Sequence, residues 1–187
     1  RSPEQDFYRL YMSHNRHMLA FAAMMNGRSA LALSTIRAMV DAVPPEVFRT
    51  EAWADGMMVM PLEVLMRFGR WDEILATPAF PGFTPISRSI QHYARSVSYL
   101  AKEDLENAVK EQAAFMEART RVAKEATFGN NTGSDLLDVS EHLMKGEILF
   151  RSGSIGVLLA ANDKLIGRIR GRQYVLTMTL STMMGAL

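Results

Sequence analysis

The chain of 187 residues contains no cysteine, and this absence excludes several kinds of site at once. Disulfide bonds, thiolate nucleophiles and zinc or iron–sulfur centres built on cysteine all require a residue that is missing here. Proline is also missing from everything after Pro85, since the seven prolines lie at positions 3, 44, 45, 61, 78, 81 and 85. Because proline is the strongest helix breaker, its absence favours long helices in the second half of the chain.

An excess of charge of one sign is lacking too. Lys and Arg total 21 against 20 Asp and Glu, so the net charge is +1 and no overall field attracts nucleic acid. A long hydrophobic run is also absent, because the longest uncharged stretch, 173–187, has 15 residues and includes serine and threonine. A membrane-spanning helix needs about 20 predominantly apolar residues. The sequence therefore predicts no nucleic-acid partner and no transmembrane segment.

Motifs of common enzymes are missing as well. The chain has no glycine-rich phosphate loop and no His-Glu-x-x-His pair of metal ligands. It also lacks a Ser-His-Asp or paired-carboxylate pattern in a recognisable context. We therefore expect a protein that is not an enzyme and that carries no cofactor.

Apolar residues recur at helical spacing, and no alternating apolar and polar pattern reaches strand length, so the sequence predicts an all-α chain. The pattern favours a first hairpin with helices near 12–26 and 29–42, joined at Gly27 and ended by Pro44. Similar turns are predicted at Gly69, Glu103 and Gly153. Loops are predicted at 76–85 and 128–134, with Ser134 or Asp135 as the cap of the helix that follows.

The turns define a repeat. Segment 27–44 has Gly at the turn, a small residue (Ala32) five positions later, a large residue (Ile36) after four more, and a closing proline. Three further units fit this frame, at 58–76, 89–118 and 139–165, and the first is the weakest because Pro61 must begin its helix. Small residues let two antiparallel helices approach closely, and one hairpin cannot bury its apolar face alone, so neighbouring hairpins are expected to stack.

The segment Tyr11–Ser29 (YMSHNRHMLAFAAMMNGRS) resembles a family of bacterial tetratricopeptide-repeat (TPR) proteins. Those proteins carry a Tyr-x-x-His-Asn-x-His-Phe-Leu stretch before an Ala-Ala-x-Met-Glu-Gly-Arg helix end. The matching residues are Tyr11, His14, Asn15, His17, Leu19, Ala22, Ala23, Met25, Gly27 and Arg28. Met18 replaces the usual Phe, and Asn26 replaces Glu. The likeness covers residues 8–160, and members are generally longer, so the chain is expected to be a fragment of a longer protein.

The resemblance implies a TPR-like α-solenoid of about four antiparallel helical hairpins over 1–165, followed by a C-terminal segment, 166–187, that it does not explain. Its implied function is a non-enzymatic scaffold that binds a protein or peptide on the concave face. Position counting predicts that this groove is lined by His14, His17, Phe21, Met24, Ile90, Tyr93 and Val97. The 14 methionines are expected to fill irregular gaps and to provide an adaptable surface.

The histidines leave alternatives open. His14 and His17 lie three apart on one helical face, so they are candidates for packing, for anchoring a peptide, for a metal site or for acid–base catalysis. Two imidazoles can share a zinc or copper ion, but a third ligand must come from elsewhere. A metal-binding protein built on this pair is therefore the main alternative function. A structural subunit held in a larger assembly or oligomer by its C-terminal segment is another.

The cellular location stays open. The cytoplasm is slightly favoured, because no signal peptide is visible at the start of the chain. The chain begins at Arg1 rather than Met, however, so a secreted or periplasmic protein remains an alternative.

Overall fold

The computed structural model of the chain describes residues 6–128 and 130–154. The predicted C-terminal segment 166–187 lies outside the described residues. In chain order the elements are α1 (Asp6–Met25), α2 (Ser29–Asp41), α3 (Val47–Thr50), a 3-10 helix (Ala52–Val59), α4 (Met60–Arg67), α5 (Trp71–Ala76), α6 (Pro85–Ala101), α7 (Leu105–Arg119), β1 (Thr127–Phe128), β2 (Asn131–Thr132) and α8 (Gly133–Arg151).

Helices dominate this part of the chain, so the predicted all-α class is confirmed. The loop predicted at 128–134 is partly wrong, because β1 and β2 pair there as an antiparallel ribbon with two residues in each strand. The cap of α8 was also predicted wrongly. The side chain of Thr132, rather than Ser134 or Asp135, accepts the first hydrogen bond, from the backbone N–H of Asp135. None of the described helices has both the length and the hydropathy that crossing a bilayer requires.

All four predicted turns are confirmed, and they share one geometry. Gly27, Gly69, Glu103 and Gly153 have φ between 61° and 75°, in the left-handed region that ends many helices. At each turn this residue donates to the carbonyl three positions back, and the next residue donates to the carbonyl five positions before it. This is the Schellman pattern, which satisfies the last carbonyls of the helix and reverses the chain. Glu103 adopts the strained φ without being glycine.

The residue five positions after a turn is fully buried in each of the first three hairpins. These residues are Ala32, Ile74 and Ala108, each with 0 % exposure. The sequence predicted a small residue here, and Ile74 departs from it in the unit predicted to be weakest. Pro61 lies in the first turn of α4, which begins at Met60, so it costs no helical hydrogen bond.

The helices pack in a regular order. Within hairpins, α1 contacts α2, α4 contacts α5, and α6 contacts α7. Between hairpins, α2 contacts α4, α5 contacts α6, and α7 contacts α8. In addition, α6 lies against both α4 and α8. A single apolar core, containing residues such as Ile36, Leu65, Ile86, Phe115 and Met144, runs through all of these contacts.

The ribbon β1–β2 packs onto the 3-10 helix at Gly56. A Cβ atom at Gly56 would lie 2.4–2.8 Å from three ring carbons of Phe128, closer than atoms can approach. We therefore expect Gly56→Ala to lower the free energy of unfolding by about 1–3 kcal/mol, because the ring must move out of a packed site. Urea unfolding followed by circular dichroism measures the loss. Gly82→Ala is the matched control, since nothing lies within 4 Å of a Cβ there. Equal stability of the two variants would contradict the close packing of the Phe128 ring on Gly56.

Candidate functional site

The four turns give the helices that precede them, α1, α4, α6 and α8, a common register. Six positions before each turn residue stand Phe21 in α1, Glu63 in α4, Val97 in α6 and Glu147 in α8. We call these four residues the candidate row. All four side chains are half-buried, so each one packs against its neighbours and still presents some surface to solvent. The row alternates apolar and acidic side chains from one hairpin to the next.

The residues ten positions before the turns lie one helical turn further back. They are His17, Val59, Tyr93 and Leu143. His17 and Leu143 are half-buried, whereas Val59 and Tyr93 are buried. Apart from His17, this second set next to the candidate row is made of apolar or aromatic side chains.

The residues predicted from sequence differ in their accessibility. His14 is exposed, and His17, Phe21 and Val97 are half-buried. The other three are buried, and they are Met24, Ile90 and Tyr93. The exposed and half-buried residues are the ones that a partner can reach without rearrangement.

The structure also shows which helices join the predicted residues. The contacts that connect α1 to α6 run through α2 and α4, so the α1 and α6 residues belong to one surface only if α4 contributes to it. Sequence reasoning missed the α4 and α8 members, Glu63 and Glu147. Counting six residues back from Gly69 and Gly153 would have found both, because the turns had been identified from sequence.

Tyr93 and Glu147 are electrostatic neighbours across the α6–α8 contact. Burial raises the pKa of the Tyr93 phenol, and the negative charge of Glu147 raises it further. The phenol therefore stays neutral at any physiological pH. The helices that carry these two residues, α6 and α8, contact each other.

Glu63 is a carboxylic acid whose pKa departs strongly from its ordinary value. Burial raises its pKa from 4.5 to about 7, and nothing offsets this shift. No hydrogen bond or ion pair within the described residues reaches its carboxylate. A side chain that is half-buried, ionisable near neutral pH and without a partner is typical of binding and catalytic sites.

Two arginines accompany the acids of the candidate row. Arg151 lies one helical turn after Glu147, and its Nε is 3.9 Å from a carboxylate oxygen of that residue. Arg67 holds the same position relative to Glu63, but the two do not form an ion pair within the described structure. Instead, the Nε of Arg67 is buried without a hydrogen-bond partner. The charge of Glu147 is therefore partly compensated, and that of Glu63 is not.

His14 and His17 offer two of the ligands that a metal site requires. Burial lowers the pKa of the His17 imidazole, and the neighbouring His14 adds to the shift, so the two rings are close together. Across 6–128 and 130–154, however, no three His, Asp or Glu residues are grouped so that they could hold a metal ion. The described residues therefore supply no third imidazole or carboxylate ligand for a zinc or copper ion at this pair.

The other two histidines pack against neighbouring groups. The Nδ1 of His92 lies 2.7 Å from an Oε of Glu111 on α7, and the Nδ1 of His142 lies 2.7 Å from the carbonyl oxygen of Asp138. Arg95 donates to the other Oε of Glu111 at 2.6 Å. Burial alone would raise the pKa of Glu111, but the hydrogen bonds from His92 and Arg95 hold it below its ordinary value. This network fastens α6 to α7.

Comparison with known proteins adds no second line of evidence about the site. No family model, curated protein or solved structure matches the chain. The likeness to bacterial TPR proteins remains a prediction based on the quoted sequence segments.

Proposed function

We propose that the chain is a TPR-like helical-repeat scaffold that binds a segment of a partner protein along the candidate row. The supporting observation is that four turns of one geometry set Phe21, Glu63, Val97 and Glu147 at the same position before the turn in four helices, α1, α4, α6 and α8. Each position is partly accessible, and α4, α6 and α8 lie side by side. A surface with such a regular spacing is suited to a ligand that is itself regular, such as an extended or helical peptide.

We expect this scaffold to bind its partner through surfaces that match in shape and charge, without catalysing a reaction. Phe21 and Val97 offer apolar contact area, and the two acids that alternate with them in the row offer charged hydrogen-bond acceptors. No nucleophile paired with a base stands at the candidate row, so we propose a binding protein and not an enzyme. The near-neutral charge favours a protein or peptide partner over nucleic acid.

A charged, bulky substitution on the row tests the proposal. Val97→Arg should abolish the selection of peptides from a displayed random library, because a long cation would fill the centre of the surface. Val109→Arg is the matched control, since Val109 lies exposed on α7, a helix that carries no member of the candidate row. The measurement is the enrichment of related sequences on immobilised protein, by wild type and by each variant. Both variants are first checked for wild-type helicity and thermal unfolding.

The proposal predicts one enriched family for the wild type, the same family for Val109→Arg, and its loss for Val97→Arg. Val97→Gln, which is shorter and uncharged, should weaken the enrichment without abolishing it. If neither arginine variant changes the selected family, the partner binds elsewhere. If the wild type selects no peptides at all, the scaffold function itself is contradicted.

A further inference from the structure

We propose that the candidate row selects segments that place a lysine or arginine side chain at Glu63, with apolar side chains beside it on Val97. This inference rests on the proposed scaffold function and specifies the partner. Among the described residues, the Glu63 carboxylate has no hydrogen bond and no ion pair, and it is held half-buried on α4. In the order of the row, Glu63 stands between the apolar residues Phe21 and Val97. We therefore expect a ligand that presents both a basic and an apolar side chain.

A basic side chain fits Glu63 for a physical reason. Burial has removed part of the solvent that would stabilise the carboxylate, and no group among the described residues replaces it. An ammonium or guanidinium group from a partner would supply that missing interaction, and a charged hydrogen bond formed away from bulk water is stronger than an exposed one. A neutral apolar ligand would instead bury the acid further without compensation, which is unfavourable.

The neighbouring charges single out Glu63 rather than Glu147. Glu147 already has the guanidinium of Arg151 at 3.9 Å, which reduces what a second cation would gain there. Arg67 follows Glu63 by one helical turn, but the two side chains form no ion pair within the described structure. Burial is the single cause of the raised pKa of Glu63. The uncompensated acid of the row is therefore on α4, next to the apolar surface of α6.

The spacing of the helices sets the spacing of the ligand. Packed helices lie about 8–10 Å apart, and an extended segment of the polyproline II type has three residues per turn and advances about 3.1 Å per residue. Its side chains three positions apart lie on one face about 9 Å from each other, so the residues bound at Glu63 and at Val97 on the adjacent helix should be three positions apart. The expected ligand carries one basic residue and an apolar residue at this separation.

The test uses the displayed random peptide library on wild type and on Glu63→Gln. Glutamine keeps the shape of the side chain and removes the charge, and we expect the variant to fold at least as stably as the wild type. Wild type should enrich Lys or Arg at one fixed position, and Glu63→Gln should keep the apolar preference while losing the basic one. For one enriched peptide, replacing its Lys by Met should weaken binding about tenfold to wild type and little to Glu63→Gln.

Three results overturn the inference, and they can be told apart. If wild type enriches apolar residues without a basic position, the ligand specificity is wrong while the scaffold function stands. If the basic preference persists in Glu63→Gln and disappears in Glu147→Gln, the cation is bound by the other acid of the row. If wild type enriches nothing, the scaffold function fails and the inference fails with it.

Discussion

Replacing Asp55 with alanine should lower the free energy of unfolding by about 2–4 kcal/mol, because two buried N–H groups would lose their acceptor. The carboxylate of Asp55 accepts from the backbone N–H of Ile86 at 2.8 Å and of Ser87 at 2.9 Å. The hydroxyl of Ser87 donates in return to the backbone carbonyl of Asp55. These N–H groups open α6, where a helix has no internal acceptors and where a negative charge is favourable.

Asp55 is thus the cap of a helix that begins thirty residues later. It is buried, with 5 % exposure, and burial raises the pKa of its carboxyl although Ser87 and Ile86 donate to it. The residue that precedes α6 is Thr84, whose hydroxyl donates to the carbonyl of Pro81 and makes no cap hydrogen bond. Nothing else in the described structure replaces Asp55 at these two N–H groups.

Urea unfolding of Asp55→Ala and of Asp104→Ala measures this role. Asp104 caps α7 from the adjacent position, by accepting from the backbone N–H of Asn107 at 3.1 Å. That site is open to water, which can replace the lost acceptor, so Asp104→Ala should cost less than Asp55→Ala. Asp55→Asn should fall between wild type and Asp55→Ala, because an amide oxygen still accepts. Equal losses in the two alanine variants would contradict a buried cap at Asp55.

The two caps illustrate which parts of the fold can be predicted from sequence. The turns at Gly27, Gly69 and Gly153 were predicted because a helix end and the residue that reverses it are neighbours in the chain. The Asp55 cap was not, since its partners become neighbours only after the helices have packed. The β1–β2 ribbon was missed for a related reason: two-residue strands carry no alternating pattern.

The candidate site also contains residues that the sequence predicted and residues that it did not. Helical spacing was sufficient to predict that Phe21 and Val97 are candidates for one surface, and the structure shows that they share a register relative to their turns. Glu63 and Glu147 were missed because an acid on a helix usually indicates a solvated face. The burial of Glu63 results from helices α2, α5 and α6 packing around α4, and no local pattern contains that information.

Replacing Glu63 with glutamine should stabilise the protein at pH 8 by up to about 3 kcal/mol, and have little effect at pH 4. The carboxyl has a pKa of about 7 in the folded chain and an ordinary value of 4.5. Between these values the folded state keeps a proton that the unfolded state has released, so stability falls as pH rises from 4.5 to about 7. Glutamine does not titrate, so the variant avoids this loss. The figure is an upper bound, because the side chain is partly accessible.

Urea unfolding of wild type and Glu63→Gln from pH 4 to pH 8 gives the difference curve. Other perturbed groups, such as Asp55 and Glu111, are present in both proteins and cancel in that difference. Glu147→Gln is the matched control, since the same change beside Arg151 removes an ion pair and should bring no gain at pH 8. A difference that does not depend on pH would show that Glu63 is solvated in the folded chain. A gain confined to high pH would identify Glu63 as an acid that costs stability, as expected of a residue whose counter-charge comes from a partner.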